Sequence, residues 1–317
     1  MTKPPQPSKD RPSWVVIVNP VSANGRTGRD WPKNEPILRR LLPPFTVWTT
    51  SGPNQATELA YRAVDQGYAT IAVHGGDGTV NEVVNGLLGH PRFESTALAI
   101  LPCGTGADLV RTLGISHSLP AAAGQACGNV FQKIDVGLAR FLDLNGHPCR
   151  RHFLNVTDVG FGGDLVRYVN SHSKRWGGKL SFFRGLLVTL FTYQNKRIRI
   201  GLDDQPPFEV KASSIVIANG QYFGGGMWVA PPARMADGVL EVVVVGDVSR
   251  IEVLTNTRRL YRGTLSGHPK VQVFSAQTIS LESEEEVFID MDGELVGCLP
   301  VRFELLPKKI KILGASK

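Results

Sequence analysis

Short apolar runs alternate with helical patterns over the first 130 residues. Four runs are almost continuously apolar, which is typical of strands buried on both faces of a sheet. They are Trp14–Val18, Phe45–Thr49, Thr70–Val73 and Ala97–Leu101. Between them, Ala56–Gln66 and Val80–Leu88 carry apolar side chains at helical spacing. Strands separated by helices in this way predict an α/β N-terminal domain with a mostly parallel sheet.

After about Val130, strand-like runs follow one another with few helical segments between them. The runs are Lys133–Ala139, His152–Val156, Lys196–Leu202, Glu209–Ala218, Val239–Val245, Val271–Phe274, Thr278–Leu281, Val287–Asp290 and Val301–Leu306. Helical spacing is found at Gly163–Ser171, Lys179–Tyr193 and Ser249–Arg262. This order predicts a β-rich, mainly antiparallel C-terminal domain.

These patterns divide the chain into four parts. Residues 1–12 are polar and rich in proline and lysine, so they are predicted to be a disordered tail. Residues 13–130 are predicted to form the α/β domain and residues 131–308 the β-rich domain. Residues 309–317 are predicted to return to the first domain as one more strand. A chain of 317 residues has the length expected for two domains.

The composition narrows the class of protein without identifying an activity. Hydrophobic residues make up 42% and charged residues 20%, which indicates a folded globular protein. The four cysteines include no CxxC pair, so neither a zinc site nor a disulfide framework is expected. The tail lacks the apolar core of a secretory signal, and no apolar run reaches the ~18 residues of a membrane span, which predicts a cytoplasmic protein. The net charge of +7 suits several anionic partners and selects none.

The strongest candidate for chemistry is the glycine-rich turn Gly75–Thr79, between a predicted strand and a predicted helix. Glycines allow positive φ and a close approach of the backbone to a ligand. A helix that begins near Thr79 would offer main-chain N–H groups and its positive dipole end to a phosphate. Thr79 and Glu82 also have the spacing of a capping box, so plain helix capping is an alternative for this pair.

Three further turns follow strands of the same predicted sheet. They are Asn19–Arg26, Thr49–Gly52 and Leu101–Asp108. Ligands of such sheets bind beyond the carboxyl ends of the strands, so the four turns are expected to line one phosphate-binding crevice. The sequence has neither a Walker motif nor a GxGxxG turn after its first strand, which disfavours ordinary P-loop and Rossmann sites.

The motifs, taken in order, resemble those of the diacylglycerol kinase catalytic-domain superfamily of lipid kinases, which includes bacterial diacylglycerol kinases and sphingosine kinases. The motifs are Asn19-Pro20-x-Ser22, Gly75-Gly-Asp-Gly-Thr-Val-Asn-Glu82, Pro102-x-Gly-Thr-Gly-Ala-Asp108-Leu-Val-Arg111-x-Leu-Gly114, Ala236-Asp237-Gly238-x-Leu240 and Asp292-Gly293-Glu294. The resemblance extends from about Trp14 to Leu313. The family usually has asparagine where this chain has Ala107, so one amide contact to the nucleotide is expected to be absent.

The resemblance implies that ATP is the phosphoryl donor, that Mg²⁺ is required and that a lipid hydroxyl is the acceptor. The residues that it assigns to the nucleotide are Asn19, Pro20, Ser22, Thr50, Gly75, Gly76, Asp77, Gly78, Thr79, Val80, Asn81 and Thr105. The residues that it assigns to magnesium are Asp237, with the main-chain oxygens of Arg234 and Val239, and, through water, Asp77 and Asp108. Dispersed carboxylates suit Mg²⁺, which keeps several of its waters.

The same resemblance implies a general base at Glu294, with Asp292 beside it. Phosphoryl transfer needs charge neutralisation, alignment and a base for the attacking hydroxyl, and these residues could supply the last of these. The alternative is that Asp292–Glu294 is a hairpin turn with surface acids, the usual meaning of Asp-Gly between strands.

The region from Leu165 to Leu202 carries eight basic residues and no acidic one. The basic residues surround an apolar helix candidate at 180–193, with Trp176 near one end. Such a segment can lie in the interface of an anionic bilayer, which predicts peripheral membrane association. The alternative is a core helix whose ends carry solvated cations.

Two other functions compete with that of a lipid kinase. An NAD kinase shares the Gly-Gly-Asp-Gly-Thr turn, but the Val-Asn-Glu continuation and the Asp-Gly-Glu motif favour the lipid branch. A catalytically silent lipid- or nucleotide-binding regulator is disfavoured by the retained Asp77, Asp237 and Glu294. The expected partners are a lipid substrate and an anionic membrane, without nucleic acid. The sequence leaves open whether the protein forms a homodimer, and it does not identify the lipid.

Overall fold

In a computed structural model of the protein, the described residues are 13–103, 107–172 and 178–316, with the side chains of 172 and 178–183 left out. The chain divides into two compact units. One contains the residues up to Ile134 together with those from Lys308 onward, and the other is Asp135–Pro307. The predicted tail 1–12 lies outside the described residues.

The first unit is an α/β domain. Its strands are β1 (Trp14–Val18), β2 (Phe45–Thr49), β3 (Thr70–Gly75) and β4 (Ala97–Pro102), and its helices are α1 (Arg26–Leu41), α2 (Gln55–Asp65), α3 (Asp77–Leu88), α4 (Asp108–Leu113) and α5 (Leu119–Cys127). The strands pair in parallel in the order β4–β3–β1–β2. Near the end of the chain, Ile312 pairs in parallel with Leu98 at the other edge of β4. The predicted parallel α/β sheet is confirmed.

Helix α1 is missing from the sequence-based prediction, since Pro32 and Pro36 lie inside it and proline normally interrupts a helix. The helix persists because Leu38 is fully buried in a core cluster with Val16 of β1 and Ala123 of α5. Tertiary packing here outweighs the local penalty.

The second unit contains most of the β-structure. The remaining strands of the chain are β5 (Phe131–Leu142), β6 (Pro148–Phe153), β7 (Val156–Gly160), β8 (Lys196–Leu202), β9 (Phe208–Ala212), β10 (Ser214–Ala218), β11 (Tyr222–Phe223), β12 (Met227–Trp228), β13 (Leu240–Val245), β14 (Val271–Ala276), β15 (Thr278–Glu282), β16 (Phe288–Met291) and β17 (Glu294–Leu313). The remaining helices are α6 (Phe161–His172), α7 (Gly178–Thr192) and α8 (Arg250–Arg262). None of the helices in the described residues is long and apolar enough to cross a membrane.

Antiparallel pairing dominates this unit. The strands follow the order β14–β13–β10–β7–β16–β17, and β15 joins β17 to β8. Ile215, Val242 and Phe303 are buried in its main apolar cluster. The predicted β-rich, mainly antiparallel architecture is confirmed.

Three strand boundaries differ from the predicted ones. The run Glu209–Ala218 is two strands, β9 and β10, because Ser213 leaves the first ladder and donates its N–H to Val245 and Gly246 carbonyls at 2.8 and 3.1 Å. The run His152–Val156 is divided in the same way between β6 and β7, whereas the last two predicted strands are one continuous strand, β17. Apolar alternation reveals a buried face, but it does not show where a strand changes its partner.

Candidate active site

Three of the predicted nucleotide turns adjoin one another at the carboxyl ends of β1, β2 and β3. Asn19 Nδ2 donates to Thr79 Oγ1 at 2.9 Å, and the Asn19 N–H donates to the His74 carbonyl at 3.1 Å. The N–H of Thr50 donates to the Val18 carbonyl at 2.9 Å. The first unit therefore brings these three turns together at one edge of its sheet.

The fourth turn, after β4, joins the same group. The Cys103 N–H donates to the Gly75 carbonyl at 3.1 Å, and the Asp108 N–H donates to Asp77 Oδ2 at 2.9 Å. Asp108 is almost fully buried, and its Oδ1 lies 3.2 Å from Arg111 NH1. The two residues predicted to reach magnesium are thus hydrogen-bonded to each other through the Asp108 main chain. Arg111, for which the sequence predicted no separate role, neutralises the carboxylate of Asp108.

The glycines of the central turn do not use positive φ, contrary to expectation. Gly76 is extended, with φ −93° and ψ −179°, and Gly75 and Gly78 are also outside the positive-φ region. At Gly75 an added Cβ would lie 2.8 Å from Thr79 Oγ1, so glycine is required by close packing. At Gly76 an added Cβ would meet no described atom within 4 Å, so open space lies beside the backbone there.

The capping-box interpretation of Thr79 and Glu82 is wrong. Helix α3 begins after Gly76, so Thr79 lies within the first turn and its hydroxyl accepts the bond from Asn19. Glu82 Oε2 instead accepts the Ala56 N–H at 3.1 Å, at the start of α2. Glu82 therefore stabilises the neighbouring helix, a role that only the tertiary structure reveals.

The left-handed backbone expected at the central turn occurs in the first turn instead. Residues 23–25 have φ values of 53°, 57° and 76°. Ser22 Oγ donates to the Asn19 carbonyl at 2.8 Å, and the Gly28 N–H donates to the Pro20 carbonyl at 3.0 Å. These bonds fold the turn back onto the beginning of α1.

The other predicted nucleotide residues differ in how the structure presents them. Val80 and Asn81 are each 1% exposed in the first turn of α3, and Asn81 Oδ1 accepts a bond from Asn85 Nδ2 at 3.1 Å. Thr105 lies outside the described residues. A nucleotide contact stays a prediction for these residues.

His74, at the end of β3, connects the strands that precede the turns, a role that was not predicted from the sequence. Its ring is buried, and its Nδ1 lies 3.0 Å from the Leu101 carbonyl, which can only accept, so Nδ1 carries the proton. Nε2 then accepts from Asn34 Nδ2 at 3.2 Å. Burial lowers the pKa of His74, which favours this neutral form. In the sequence, this role could have been inferred from the position of a polar residue at the end of an apolar run.

In the second unit, Asp292 is an internal clamp rather than a surface acid. Its carboxylate accepts the main-chain N–H groups of Leu154, Asn155 and Val156 at 3.1, 3.1 and 3.0 Å. Asp292 and Gly293 have φ values of 49° and 88°, which form the tight turn between β16 and β17. The hairpin alternative is therefore right about the turn and wrong about the role of its first acid.

Glu294 follows this turn and is paired with a cation. Its Oε2 lies 2.6 Å from Arg151 NH2, and 42% of its side chain is exposed. Arg151, on β6, was not identified from the sequence because its partner is 143 residues away. The ion pair orients an accessible carboxylate at the start of β17.

Two buried acids lie in the sheet behind the turn. Asp158 on β7 and Asp290 on β16 are directly paired across the ladder. Asp158 accepts from Ser214 Oγ at 2.6 Å and from the Gly162 N–H at 3.1 Å, and burial raises its pKa to about 6. Burial, and then the carboxylates of Asp158 and Asp292, raise the pKa of Asp290 well above the usual range. Both acidic residues lie within apolar runs of the sequence, and this position could have predicted that they are buried.

The predicted magnesium position at Asp237 lies in an exposed loop of the same unit. The Val239 N–H donates to Asp237 Oδ1 at 3.3 Å, and the Gly238 N–H donates to Asp135 Oδ2 at 2.8 Å. Asp135, which is fully buried, thus anchors the loop. No three His, Cys, Asp or Glu side chains of the described residues form a metal cluster. A carboxylate with the main-chain oxygens of Arg234 and Val239 is nevertheless a hard-oxygen donor set that fits Mg²⁺.

Comparisons with known proteins cover nearly the whole chain. Residues 13–139 match the family model of the diacylglycerol kinase catalytic domain, and residues 156–314 match that of the YegS C-terminal NAD kinase beta sandwich-like domain. Two proteins named diacylglycerol kinase, from Staphylococcus carnosus and Staphylococcus saprophyticus, are 26% and 27% identical over 297 residues. These alignments cover 94% of this chain and 93% of each relative.

Solved structures show the same two-domain fold. A diacylglycerol kinase from Bacillus anthracis matches with a TM-score of 0.69 and 25% identity, covering 96% of this chain and 98% of that one. An NAD kinase from Archaeoglobus fulgidus, solved with ATP, matches with a TM-score of 0.50 and 12% identity over 95% of this chain and 93% of that one. The second likeness is one of fold alone.

Proposed function

We propose that this chain, which belongs to the diacylglycerol kinase catalytic-domain superfamily, transfers the γ-phosphoryl group of ATP to the hydroxyl of a diacylglycerol-like lipid. The observation that carries the proposal is the set of four adjacent turns around Gly76. Polar groups from several strands meet there beside a backbone that has open space next to it. Phosphoryl transfer depends mainly on this kind of positioning and electrostatic stabilisation.

The donor phosphates would bind at the N-terminal end of α3. The helix dipole favours anions at that end, and α3 has no side-chain cap among the described residues. Neighbouring polar groups are already oriented, since the Asn19–Thr79 bond fixes the first turn against the third. The nucleotide would therefore meet a preformed surface.

Magnesium would be held in two places. Asp237, with the main-chain oxygens of Arg234 and Val239, would bind one ion, and Asp77 and Asp108 would contact magnesium through water. The bound ion would neutralise charge on the phosphate oxygens. Arg111 already balances the carboxylate of Asp108, so water-mediated contact suits that residue better than direct ligation.

Glu294 would accept the proton of the attacking lipid hydroxyl. The side chain is accessible, and Arg151 holds one of its oxygens in place. The turn behind it is rigid, since Asp292 accepts three main-chain bonds. A general base has to be positioned within hydrogen-bond reach of its proton, and such a fixed carboxylate meets that need.

A screen with labelled ATP tests the proposal directly. Diacylglycerol, monoacylglycerol, phosphatidylglycerol, ceramide and sphingosine are offered in detergent micelles, with NAD as a soluble acceptor and with or without Mg²⁺. We expect magnesium-dependent labelling of a lipid and none of NAD. Labelling of NAD alone would replace the lipid kinase by a soluble-substrate kinase, and no labelling of any acceptor, despite ATP binding, would favour a silent regulator.

A further inference from the structure

Helix α8 presents an apolar face to solvent. Ile251, Leu254 and Tyr261 are 73%, 53% and 56% exposed, and at 100° per residue they lie on one side of the helix. No residue of α8 is buried. A helix of 13 residues that buries none of them derives little stability from packing onto its own domain.

The end of α7 extends this face. Phe191 is 58% exposed, and Leu187, one turn earlier, is 38% exposed. The Arg250 guanidinium lies 6.0 Å from the centre of the Phe191 ring, so the end of α7 adjoins the start of α8. We refer to Leu187, Phe191, Ile251 and Leu254 together as the α7–α8 surface.

Helix α7 has both buried and exposed residues in its described part. Leu190 is buried, whereas Phe191 beside it is exposed. In its described part the helix therefore has a buried side and an exposed side, and the exposed side also carries apolar residues, Leu187 and Phe191. The membrane interpretation of residues 180–193 stays a prediction. Lys174, Arg175 and Trp176 of this region lie outside the described residues.

Cations accompany the α7–α8 surface. Arg184, Arg250 and Arg258 are exposed, and in the described part of the chain none of them forms an ion pair. The one acidic residue of α8, Glu252, is already occupied by Lys270 at 2.8 Å and by the Ser249 cap. The surface thus combines large apolar side chains with uncompensated positive charge.

A cleft continues this surface into the unit. It has a volume of about 610 Å³, and its lining includes the apolar residues Phe161, Leu190 and Ile251 together with Arg250. Asp247 and Lys270 also line it, and they are paired with Lys211 and Glu252. Apolar walls beside the Arg250 guanidinium suit a phospholipid, which has acyl chains and an anionic headgroup.

We propose that the α7–α8 surface docks the protein on an anionic lipid bilayer. The four apolar side chains enter the interface between headgroups and acyl chains, and Arg184, Arg250 and Arg258 contact lipid phosphates. Buried apolar area and attraction to anionic lipid together set the strength of such binding. The inference rests on the proposed lipid kinase function, since a lipid acceptor resides in a bilayer, but it concerns binding and can be tested without turnover.

Flotation with vesicles tests the surface. We compare phosphatidylcholine vesicles with vesicles containing 30 mol% phosphatidylglycerol, at low and high salt. The full chain should float with the anionic vesicles at low salt, and Ile251→Asp/Leu254→Asp should lose most of this binding. Leu144→Asp is the control, because Leu144 is similarly exposed, at 55%, in a turn of the same unit away from α7 and α8 in the sequence.

A charge variant separates the two contributions. Arg250→Gln/Arg258→Gln should weaken binding roughly thirtyfold, at about tenfold in affinity per 1.4 kcal/mol and about 1 kcal/mol per basic residue at the membrane. Lys133→Gln/Arg302→Gln removes the same charge from other exposed positions and should change binding less than threefold. Thermal melts show that each variant is folded.

Three outcomes would overturn the docking proposal. They are equal flotation of all variants, equal flotation with neutral vesicles, and a change of oligomeric state in Ile251→Asp/Leu254→Asp without loss of flotation, which would make the surface a protein interface. Phosphorylation of a lipid in detergent micelles is the separate readout. If the docking variants retain it, the kinase function stands whichever way flotation turns out.

Discussion

The turn at Gly75–Thr79 and the turn at Asp292–Glu294 both follow buried strands, but they are held in different ways. In the first, single bonds from neighbouring loops fix the backbone, and Gly76 borders open space. In the second, the carboxylate of Asp292 is saturated by three main-chain N–H groups, with two buried acids behind it. The first turn suits the binding of an incoming anion, whereas the second suits the fixed placement of a side chain.

Turns that are both built from glycine and aspartate thus have different structural roles. Glycine in the first turn keeps side-chain atoms away from the backbone, so that a ligand can approach. Aspartate in the second turn ties the β16–β17 turn to the connection between β6 and β7, and the accessible carboxylate is two residues further on, at Glu294. The substitutions below test this contrast in order of decreasing expected effect.

The largest effect is expected for Glu294→Gln. The amide cannot accept the proton of a hydroxyl, so turnover should fall by roughly 10²- to 10⁴-fold, the usual contribution of a general base. ATP affinity should change only a few-fold. Initial rates with a saturating lipid acceptor, together with calorimetry of ATP binding, measure both quantities.

Glu304→Gln is the matched control. Glu304 also lies on β17, is 43% exposed and pairs with an arginine, Arg140, at 2.8 Å. It should retain turnover within about twofold, since surface ion pairs of this kind are worth at most about 1 kcal/mol. Equal losses in both variants would remove the base assignment.

Asp292→Ala should mainly affect stability. Three buried N–H groups would lose their acceptor, and each unsatisfied group costs about 1–3 kcal/mol, so the free energy of unfolding should fall by at least about 3 kcal/mol. Urea unfolding measures the loss.

Asp203→Ala is the control variant for Asp292→Ala. Asp203 also has positive φ, 47°, and its carboxylate accepts the Gln277 and Thr278 N–H groups at 2.9 and 2.8 Å. It should lose less stability than Asp292→Ala, because only two bonds are lost and both are exposed, and its turnover per folded molecule should be unchanged. If Asp292→Ala kept full turnover per folded molecule, the second turn would not be needed to position Glu294, the carboxylate proposed as the base.

Asp158→Asn should change how stability depends on pH. The pKa of Asp158 is about 6 in the folded protein and 3.8 ordinarily, so its contribution is present below pH 3.8 and is lost as the pH rises through 6. Relative to Asp158→Asn, the free energy of unfolding of the unaltered protein should fall between pH 4 and pH 7 by on the order of 3 kcal/mol.

Urea unfolding at several pH values measures this difference. Asp143→Asn provides a contrast of opposite sign, because main-chain bonds, first of all from His147, lower the pKa of Asp143. Its stabilising contribution is lost as the pH falls. Parallel stability curves for Asp158→Asn and the unaltered protein would show that Asp158 is not a buried acid with a raised pKa.

The smallest effect is expected for Gly76→Ala. Its φ of −93° is open to any residue and the added Cβ meets no described atom. The remaining cost is that of alanine at the N-cap of α3, so stability should change by about 1 kcal/mol or less. ATP affinity should nevertheless fall, by about tenfold, because the methyl group would occupy space proposed for phosphate. Unchanged affinity would place the nucleotide elsewhere.

Gly75→Ala, in contrast, should mainly lower the stability of the protein. There the Cβ would lie 2.8 Å from Thr79 Oγ1, and overpacking of this kind costs about 1–3 kcal/mol. Thermal melts should therefore separate two adjacent glycines, one needed for packing and one next to the proposed ligand.

Local sequence patterns were enough to predict the two-domain architecture and the strand-to-helix turns of the α/β domain. Near-continuous apolar runs such as Trp14–Val18 and Thr70–Val73 identify strands buried on both faces, because the pattern reflects burial directly. The glycine, asparagine and aspartate residues of the turns could also be identified, because residue type and spacing within a turn are local properties of the sequence. Their contact with a nucleotide stays a prediction.

Contacts between residues that are distant in the chain became evident from the folded structure alone. Glu82 stabilises α2 rather than its own helix, Arg151 holds Glu294, and Asp158 faces Asp290 across a ladder. Helix α1 tolerates Pro32 and Pro36 because its buried face packs on the sheet. Each of these depends on desolvation and on neighbours from distant parts of the chain, and local spacing carries no information about either.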